Sequence, residues 1–381
     1  MTALILTFAV VLLFPLVAGY LVLVERKVLA DLQGRLGPMR VGPHGLLQPL
    51  ADALKLALKE DIIPSQASRA IFWAAPVLST VTALASFTVL PFGPHVWIAQ
   101  VNVGILVVSA STSVGLLGII LGGWASNSHY PLLGALRSAA QLVSYEISLS
   151  FALLCGVMSA GSLNMTSIVT AQLSRGVWFA FDHYGLMLLP FAIFLVSVAA
   201  ETNRVPFDLP EAESELTGGF HTEYSGLRWG FYMLAEYGNL FAASAVAVTL
   251  FLGGWLRPFP NVRQLEMPLN NLFPCFLLGG IGVYTLSLVR RERLPFFRLI
   301  LVLTAVALVL CGLAFLAPAI NGLITGMFWL FLKIAVLLYG MFWMRGTVPR
   351  LRYDQLMSFG WKWLIPLGML AVFTNAIAGL V

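Results

Sequence analysis

Charged side chains are scarce in this chain of 381 residues, and their scarcity excludes a soluble protein. Charged residues make up 10% of the sequence and hydrophobic residues 59%, whereas about 25% of the residues in a soluble domain are charged. Apolar runs of about 20 residues, the length that crosses the hydrocarbon core as a helix, recur along nearly the whole chain. Because these runs are continuously apolar rather than alternating, they predict membrane helices and not a β-barrel.

Side chains that could hold a redox centre are equally scarce. The five histidines fall in predicted loops, and the three cysteines (Cys155, Cys275 and Cys311) stand alone in apolar segments. Haem and iron–sulfur clusters need several such ligands at fixed spacings, and an isolated buried cysteine usually behaves as a small apolar residue. The sequence also lacks a phosphate-binding glycine loop with its lysine, an HExxH motif and a dinucleotide fingerprint. We therefore predict no metal, no bound cofactor and no structural disulfide in this chain.

Ten apolar segments are predicted to cross the membrane as helices within a single membrane domain, residues 1–381. No basic residue precedes the first segment, and Arg26 and Lys27 follow it. We therefore expect this segment to be retained rather than cleaved as a signal peptide. The ten segments are residues 3–24, 70–91, 101–122, 140–160, 184–200, 237–255, 273–289, 297–317, 323–344 and 362–380.

Lysine and arginine are distributed unequally between the predicted loops. Of the 22 basic residues, 18 lie on the side of the first loop, three (Arg175, Arg257 and Arg263) lie on the opposite side, and Lys333 lies inside a segment. Basic residues accumulate on the cytoplasmic side of membrane proteins. The first loop is therefore predicted to be cytoplasmic, with both termini outside. The net charge of +5 is explained by this topology and does not indicate nucleic acid binding.

Acidic residues are concentrated in residues 201–236, which are predicted to form a cytoplasmic loop. Carboxylates so close together cannot all ionise without cost. If they are shielded from water, some retain protons near neutral pH and titrate as a coupled set, as a proton relay requires. A solvated acidic loop is an equally simple interpretation of the same residues. The segment contains seven of the chain's 17 acids: Glu201, Asp208, Glu211, Glu213, Glu215, Glu223 and Glu236.

Two charged residues are predicted to lie inside the membrane. Glu146 falls about two turns into the fourth segment, and Lys333 falls near the middle of the ninth. Each is costly in hydrocarbon unless it faces protein or water. An acid on the same side as the acidic loop favours a role in proton transfer, and Tyr145 could add a hydroxyl group. The alternative is a purely structural ion pair between helices.

The first loop, residues 25–69, has two unlike halves. Glycine and proline break its first half into turns. In the second half, apolar residues recur at helical spacing, which predicts an amphipathic helix that lies along the membrane surface. Such a helix is usually only an anchor, but beside Arg26 and Arg35 it could form the wall of a cavity for a lipid-like ligand. The leucines of this pattern are Leu46, Leu47, Leu50, Leu54 and Leu58.

Five motifs, in order, resemble a known family. They read ERKVLADLQGRLGP, GLLQPLADALKLALKED, LLGALRSAAQLVSYE, ETNRVPFDLPEAESEL followed by HTEYSG, and VPRLRYDQLMSFGWK. Together they resemble the membrane-arm H subunit of NADH-quinone oxidoreductase, the respiratory complex I; the equivalent mitochondrial protein is called NADH dehydrogenase subunit 1. The resemblance covers residues 1–257 and 323–381.

The resemblance implies a subunit at which the hydrophilic arm of a proton-translocating enzyme docks on the membrane arm, in the bacterial cytoplasmic membrane. Quinone is then the substrate, FMN and iron–sulfur clusters belong to partner subunits, and the chain contacts lipid and other complex I subunits. The family's quinone-chamber residues match Arg26, Arg35, Asp52, Glu223, Phe231, Arg350 and Arg352. Its acidic proton path matches Tyr145, Glu146, Glu201, Asp208, Glu211, Glu213, Glu215 and Glu236.

Residues 258–322 depart from the family pattern, which has a short connection there. They read as an inserted helical hairpin, so that eight family helices and one added pair make up the ten. Two other functions fit parts of the sequence. One is the homologous subunit of a membrane-bound hydrogenase or ferredoxin-linked dehydrogenase, and the other is an ion-coupled secondary transporter, which would require inverted repeats that we do not find.

Overall fold

A computed structural model describes residues 2–94, 96–209, 217–290 and 294–379. Within these ranges the chain is helical and forms no strand, apart from one isolated bridge between Gly93 and Val96. The predicted all-α fold is therefore confirmed. The helices are α1 (Thr2–Leu32), α2 (Gln48–Leu58), α3 (Arg69–Phe87), α4 (Gly104–Ala125), α5 (His129–Ala160), α6 (Met165–Arg175), α7 (Leu188–Glu201), α8 (Gly226–Phe251), α9 (Phe273–Val289), α10 (Pro295–Ala314), α11 (Pro318–Thr347), α12 (Tyr353–Phe359) and α13 (Ile365–Ala378).

Nine helical stretches in the described part of the chain are long and apolar enough to cross a membrane. They comprise α1, α3, α4, α5, α8, α9, α10, α11 and the continuous run of α12 and α13. The fifth predicted segment corresponds to α7, which is apolar but has only 14 residues. At 1.5 Å per residue it is about 21 Å long, shorter than the roughly 30 Å of a hydrocarbon core. The chain is thus a multi-pass membrane protein.

Several helices extend beyond the apolar segments that predicted them. Helix α5 begins at His129 rather than at residue 140, and α8 begins at Gly226 rather than at residue 237. Glu146 therefore lies 17 residues, nearly five turns, into its helix instead of about two turns. The last eleven residues of the acidic segment are likewise helical. Hydropathy marks only the apolar part of a helix and does not show where a polar extension ends.

Helix α8 is the centre of the bundle. Leu240, Ala247 and Phe251 are completely buried along it. It packs against α1, α3 and α11, while α5 packs against α4, α7 and α13. Because α8 is enclosed on most sides, a charged residue on its surface must face another protein group or an internal cavity.

Helices α9 and α10 form the predicted hairpin. They pack mainly on each other, and small residues bring them close together. A side chain at Gly282 would lie 3.0 Å from the carbonyl oxygen of Ala305, and one at Gly312 would lie 3.1 Å from that of Cys275. Helix α10 also contacts the turn Pro43–Gly45 of the first loop. That residues 258–322 were inserted into a shorter family pattern stays a prediction.

Candidate functional site

The segment that follows α7 is buried although it is not helical. Thr202, Asn203, Arg204 and Asp208 are each at most 7% exposed. Main-chain groups that are buried need hydrogen-bond partners, and Gln141 is the partner of two such groups. Its amide nitrogen donates to the carbonyl oxygens of residue 200 at 2.8 Å and residue 207 at 2.9 Å. The first part of the acidic segment is therefore sheltered by protein rather than solvated, whereas Glu211, Glu213 and Glu215 lie outside the described residues.

Arg204 lies at the centre of a buried ion network. Its Nη1 is 3.0 and 2.8 Å from the two carboxylate oxygens of Glu25, and its Nη2 is 2.9 Å from Glu236 Oε1. Arg345 pairs with Glu25 from the other side. The Tyr237 hydroxyl donates to Glu25 at 2.9 Å. Two cations and two anions thus compensate one another, as buried charges require.

Asp208 joins this network to the segment that precedes α12. Its Oδ2 accepts a hydrogen bond of 3.0 Å from Arg350, and the carboxyl group is 4% exposed. Burial raises the pKa of Asp208, an effect that the nearby guanidinium groups of Arg350, Arg345 and Arg204 partly oppose. Asp208 therefore retains a proton at a higher pH than an ordinary aspartate does.

Three carboxyl groups from three helices line one cavity. The cavity has a volume of about 60 Å³, which holds several water molecules, since each needs roughly 10–15 Å³. Glu146 of α5, Glu201 of α7 and Glu236 of α8 all line it. Because Glu236 also contacts Arg204, the cavity connects directly with the ion network. Water in this cavity could carry protons between the three acids.

Hydroxyl-bearing residues of α4 lie beside two of these acids. Ser113 Oγ donates to Glu146 Oε1 at 3.0 Å, and Thr112 lines the cavity together with Glu201. A second cavity of about 30 Å³ begins beside Thr112, Glu201 and Asn239, which line both cavities. Most of its other lining is apolar. The polar environment therefore ends close to Glu201.

Tyr145 does not line either cavity. Its hydroxyl group donates to the carbonyl oxygen of Leu356 at 3.0 Å, and its ring packs 5.5 Å from that of Phe207. The structure thus places Tyr145 between α5 and α12, away from the carboxyl group of its neighbour Glu146. Its assignment to the proton path stays a prediction without support from this geometry.

Lys333 is bonded to main-chain carbonyl groups at the end of α8. Its ammonium group donates to the carbonyl oxygens of Leu252 at 2.6 Å and Leu256 at 2.8 Å, and it lies 4.7 Å from the centre of the Trp178 ring. Carbonyl groups at the C-terminus of a helix lack intrahelical partners and attract cations. The structure therefore indicates a structural role for Lys333. It stabilises carbonyl groups at and after the end of α8 and does not form the ion pair considered in the sequence analysis.

The first loop brings two of the predicted quinone-binding residues together. Arg26 Nη1 is 2.9 Å from Asp52 Oδ2, and Gln48 donates to the other oxygen of Asp52 at 2.9 Å. Helix α2 has no buried residue in the described chain, and three of its leucines, Leu50, Leu54 and Leu58, are 48–85% exposed. This amphipathic helix thus presents an apolar face that lipid, a ligand or a partner could cover. Arg35 is exposed nearby and donates to Gln33 at 2.6 Å.

The other predicted quinone-binding residues are dispersed. Glu223 and Phe231 are half-buried before and within α8, and the Phe231 carbonyl oxygen accepts a hydrogen bond of 2.9 Å from Thr80. Arg352 is exposed at the start of α12. None of these residues, nor Arg26, lines either cavity described above. Those cavities are also far smaller than the several hundred Å³ of a typical ligand pocket.

Sequence reasoning missed several residues of the ion network. Glu25 and Arg345 each follow a predicted membrane segment by one residue, so a charge directly after an apolar run was the available signal. Nothing in the sequence shows that these two residues meet. The site residues that were missed are Glu25, Arg204, Tyr237, Asn239 and Arg345.

His221 is expected to make the fold sensitive to acid. Burial lowers the pKa of its ring from 6.5 to about 4. The unfolded chain binds this proton more readily, so the stability due to the neutral ring is complete above pH 6.5 and is lost as the pH falls towards about 4. At about pH 5.5 the loss is ~1 kcal/mol. Melting temperatures of the purified complex at about pH 7.5 and about pH 5.5 should differ less for His221→Gln than for the parent, and equal differences would contradict this prediction.

Fold and site together define a class, that of multi-pass helical membrane proteins with carboxyl groups around a water-sized cavity and a buried ion network beside it. The sequence matches, over residues 4–376, the model of a protein family described as NADH dehydrogenase. It is 59% identical over 374 residues to the second H subunit of the NADH-quinone oxidoreductases of Solibacter usitatus (strain Ellin6076), covering 98% of this chain and 95% of the relative.

Two further relatives extend the comparison. The first H subunit of NADH-quinone oxidoreductase in Koribacter versatilis (strain Ellin345) is 44% identical over 368 residues, covering 93% of this chain and 86% of the relative. NADH-quinone oxidoreductase subunit 8 of Rhodothermus marinus is 43% identical over 363 residues, covering 95% of this chain and 92% of the relative. The chain therefore belongs to the NADH dehydrogenase family and is a membrane subunit of NADH-quinone oxidoreductase, the respiratory complex I.

Proposed function

We propose that this subunit forms the membrane side of the quinone chamber and couples quinone reduction to proton movement. The observation that carries the proposal is the meeting of Glu146, Glu201 and Glu236 at one cavity, with Glu236 paired to Arg204. Reduction of a quinone to a quinol takes up two electrons and two protons. Negative charge that appears near the chamber raises the proton affinity of carboxyl groups within its reach.

The ion network provides a continuous route for this electrostatic effect. Arg350 contacts Asp208, which the guanidinium groups of Arg345 and Arg204 also attract. Arg345 pairs in turn with Glu25, and Arg204 pairs with both Glu25 and Glu236. A negative charge that attracts one guanidinium group weakens the ion pair between that group and its partner carboxylate. That carboxylate then binds a proton more readily. Glu236 passes the change to the water-sized cavity that it shares with the other two acids.

The far end of the route lies at a lateral surface of the subunit. Ser113, which holds Glu146, is exposed, and Val114, Val143 and Ile147 around it are 36–51% exposed. An acid beside hydrocarbon is costly unless another protein covers it. We therefore place a proton-translocating partner subunit of the membrane arm on this face.

The quinone headgroup is proposed to bind beside α2. There the ion pair of Arg26 and Asp52 lies next to the exposed apolar face of the amphipathic helix. A chamber open on this side would be completed by the hydrophilic arm, whose subunits supply FMN and iron–sulfur clusters. With α7 counted as the tenth crossing, the unequal distribution of basic residues supports a cytoplasmic first loop and both termini outside. We infer that the membrane is the bacterial cytoplasmic membrane.

A photoreactive quinone analogue tests the proposed chamber in the intact complex. We expect labelled peptides from residues 26–58 and 223–231, and we expect excess native quinone to prevent the labelling. Asp52→Ala should reduce the labelling, because the Arg26 guanidinium loses its partner. Arg263→Ala, which changes an exposed residue far along the chain, should not. Labelling that native quinone does not displace, or that is confined to α9 and α10, would contradict the assignment.

A further inference from the structure

Two neighbouring hydroxyl groups of α4 lie beside two half-buried acids of the cavity, Glu146 and Glu201. Ser113 Oγ is 3.0 Å from Glu146 Oε1 and also 3.0 Å from the carbonyl oxygen of Ser109. Thr112 Oγ1 is 2.9 Å from the same carbonyl oxygen, and Thr112 lines both cavities together with Glu201. One main-chain carbonyl group is thus shared by two hydroxyl groups, each of which faces a different carboxyl group.

Each hydroxyl group has one proton to donate and a choice of two acceptors. When its acid is ionised, the hydroxyl donates to the carboxylate. When the acid is protonated, the carboxyl group donates to the hydroxyl oxygen, and the hydroxyl turns its own proton to the Ser109 carbonyl. The hydroxyl keeps its proton in both states, so the change is a rotation about one bond.

The shared carbonyl group makes the two rotations depend on each other. Two hydrogens directed at one oxygen repel each other and divide its negative charge, so the second hydrogen bond is weaker than the first. Protonation of Glu201 turns Thr112 towards the carbonyl and thereby favours the orientation in which Ser113 donates to Glu146. That orientation stabilises ionised Glu146. The effect adds to the direct repulsion between the two carboxylates.

We propose that Thr112 and Ser113 are positioning residues that make the protonation of Glu146 and Glu201 mutually dependent, so that the two acids hold one proton between them. This inference rests on the proposed function, since it concerns the same proton path. The titratable groups that face the cavity are Glu146 from α5, Glu201 from α7, and Glu236 and Tyr232 from α8. Its described lining contains no lysine or arginine, so the hydroxyl groups are near partners of both acids.

Substitutions that remove only the hydroxyl groups test this inference in the intact complex. The double variant Thr112→Val with Ser113→Ala should lower quinone reduction by NADH about tenfold, the effect of losing a hydrogen bond to a charged group. The exchange Thr112→Ser with Ser113→Thr keeps both hydroxyl groups and should restore most of the rate. Electron transfer from NADH to an artificial acceptor should be unchanged in both.

Two buried hydroxyl groups elsewhere provide matched controls. Thr249 donates to the Ala245 carbonyl at 2.7 Å, and Ser244 donates to the Leu240 carbonyl at 2.8 Å, both within α8. Thr249→Val and Ser244→Ala remove the same atoms from buried positions that face neither Glu146 nor Glu201. Their quinone reduction should equal that of the parent.

Infrared difference spectra separate coupling from a merely structural role. In the parent, Glu146→Gln should shift the carboxyl band of Glu201, because the hydroxyl pair connects the two acids. In the double hydroxyl variant this shift should be smaller. The inference is wrong if the double hydroxyl variant keeps both the parent rate of quinone reduction and the full shift of the Glu201 band. The proposed function then still stands, provided that Glu146→Gln and Glu201→Gln reduce the rate. If those two acid variants keep the parent rate, the proposed function itself fails.

Discussion

Replacement of Arg204 by glutamine is expected to destabilise the subunit by about 3 kcal/mol or more, because it leaves buried carboxylates without their cation. The guanidinium group is 1% exposed and is shared by Glu25, 3% exposed, and Glu236, 15% exposed. Arg345 can compensate only one of the two acids, since its contact is with Glu25. We expect a lower melting temperature of the purified complex and less of the subunit in membranes.

A matched arginine shows whether this effect comes from the ion network. Among the described residues, Arg257 donates only to the main-chain carbonyls of Pro260 and Val262, both at 3.2 Å. Arg257→Gln should therefore change the melting temperature little. Addition of Glu236→Gln to Arg204→Gln removes the acid that Arg345 does not contact and should recover part of the loss. Equal melting temperatures for Arg204→Gln and Arg257→Gln would refute the network's structural role.

Replacement of Glu236 or Glu201 by glutamine is expected to reduce quinone reduction by NADH about a hundredfold or more, the loss typical when a proton-transferring group is removed. Glutamine keeps the shape of the side chain but cannot bind and release a proton at neutral pH. Transfer to an artificial acceptor should persist, because it requires only the hydrophilic arm. Glu266→Gln, at an exposed acid outside the site, should retain the parent rate. A similar rate for Glu236→Gln and Glu266→Gln would count against the acid path.

The helices of this bundle were predictable because burial in lipid imposes a simple pattern. Every predicted segment corresponds to a described helix, and the leucine spacing of residues 46–58 correctly indicated the surface helix α2. The starts of α5 and α8 were placed too late, by about eleven residues each. The polar extension of α8 is stabilised by contacts such as the hydrogen bond from Arg228 to Asp61, a residue 167 positions away in the chain.

The ion network could be predicted only in part. An unusual density of acids marked Glu201, Asp208 and Glu236, since repeated carboxyl groups in an apolar chain are conspicuous. The partners of these acids were not visible, because Glu25 and Arg204 are 179 positions apart and Glu25 and Arg345 are 320 apart. Contacts over such distances follow from helix packing, which one sequence does not specify.

Single charged residues proved the hardest to interpret. Lys333 and Glu146 gave the same signal, a charge within an apolar segment, yet one caps a helix end and the other faces a cavity. The difference depends on whether the neighbouring helix presents unpaired carbonyl groups or a space for water. Neither feature can be read from residue types along one chain.

Measurements of proton transport in inside-out membrane vesicles test most directly whether the acids of the cavity couple quinone reduction to proton movement. Acidification of the vesicle interior and NADH oxidation by quinone should be recorded together for Glu146→Gln, beside Glu266→Gln and the parent. The account predicts that both rates fall steeply in Glu146→Gln and stay normal in Glu266→Gln, because proton uptake and quinone reduction use the same carboxyl groups. Undiminished acidification with undiminished quinone reduction in Glu146→Gln would contradict it.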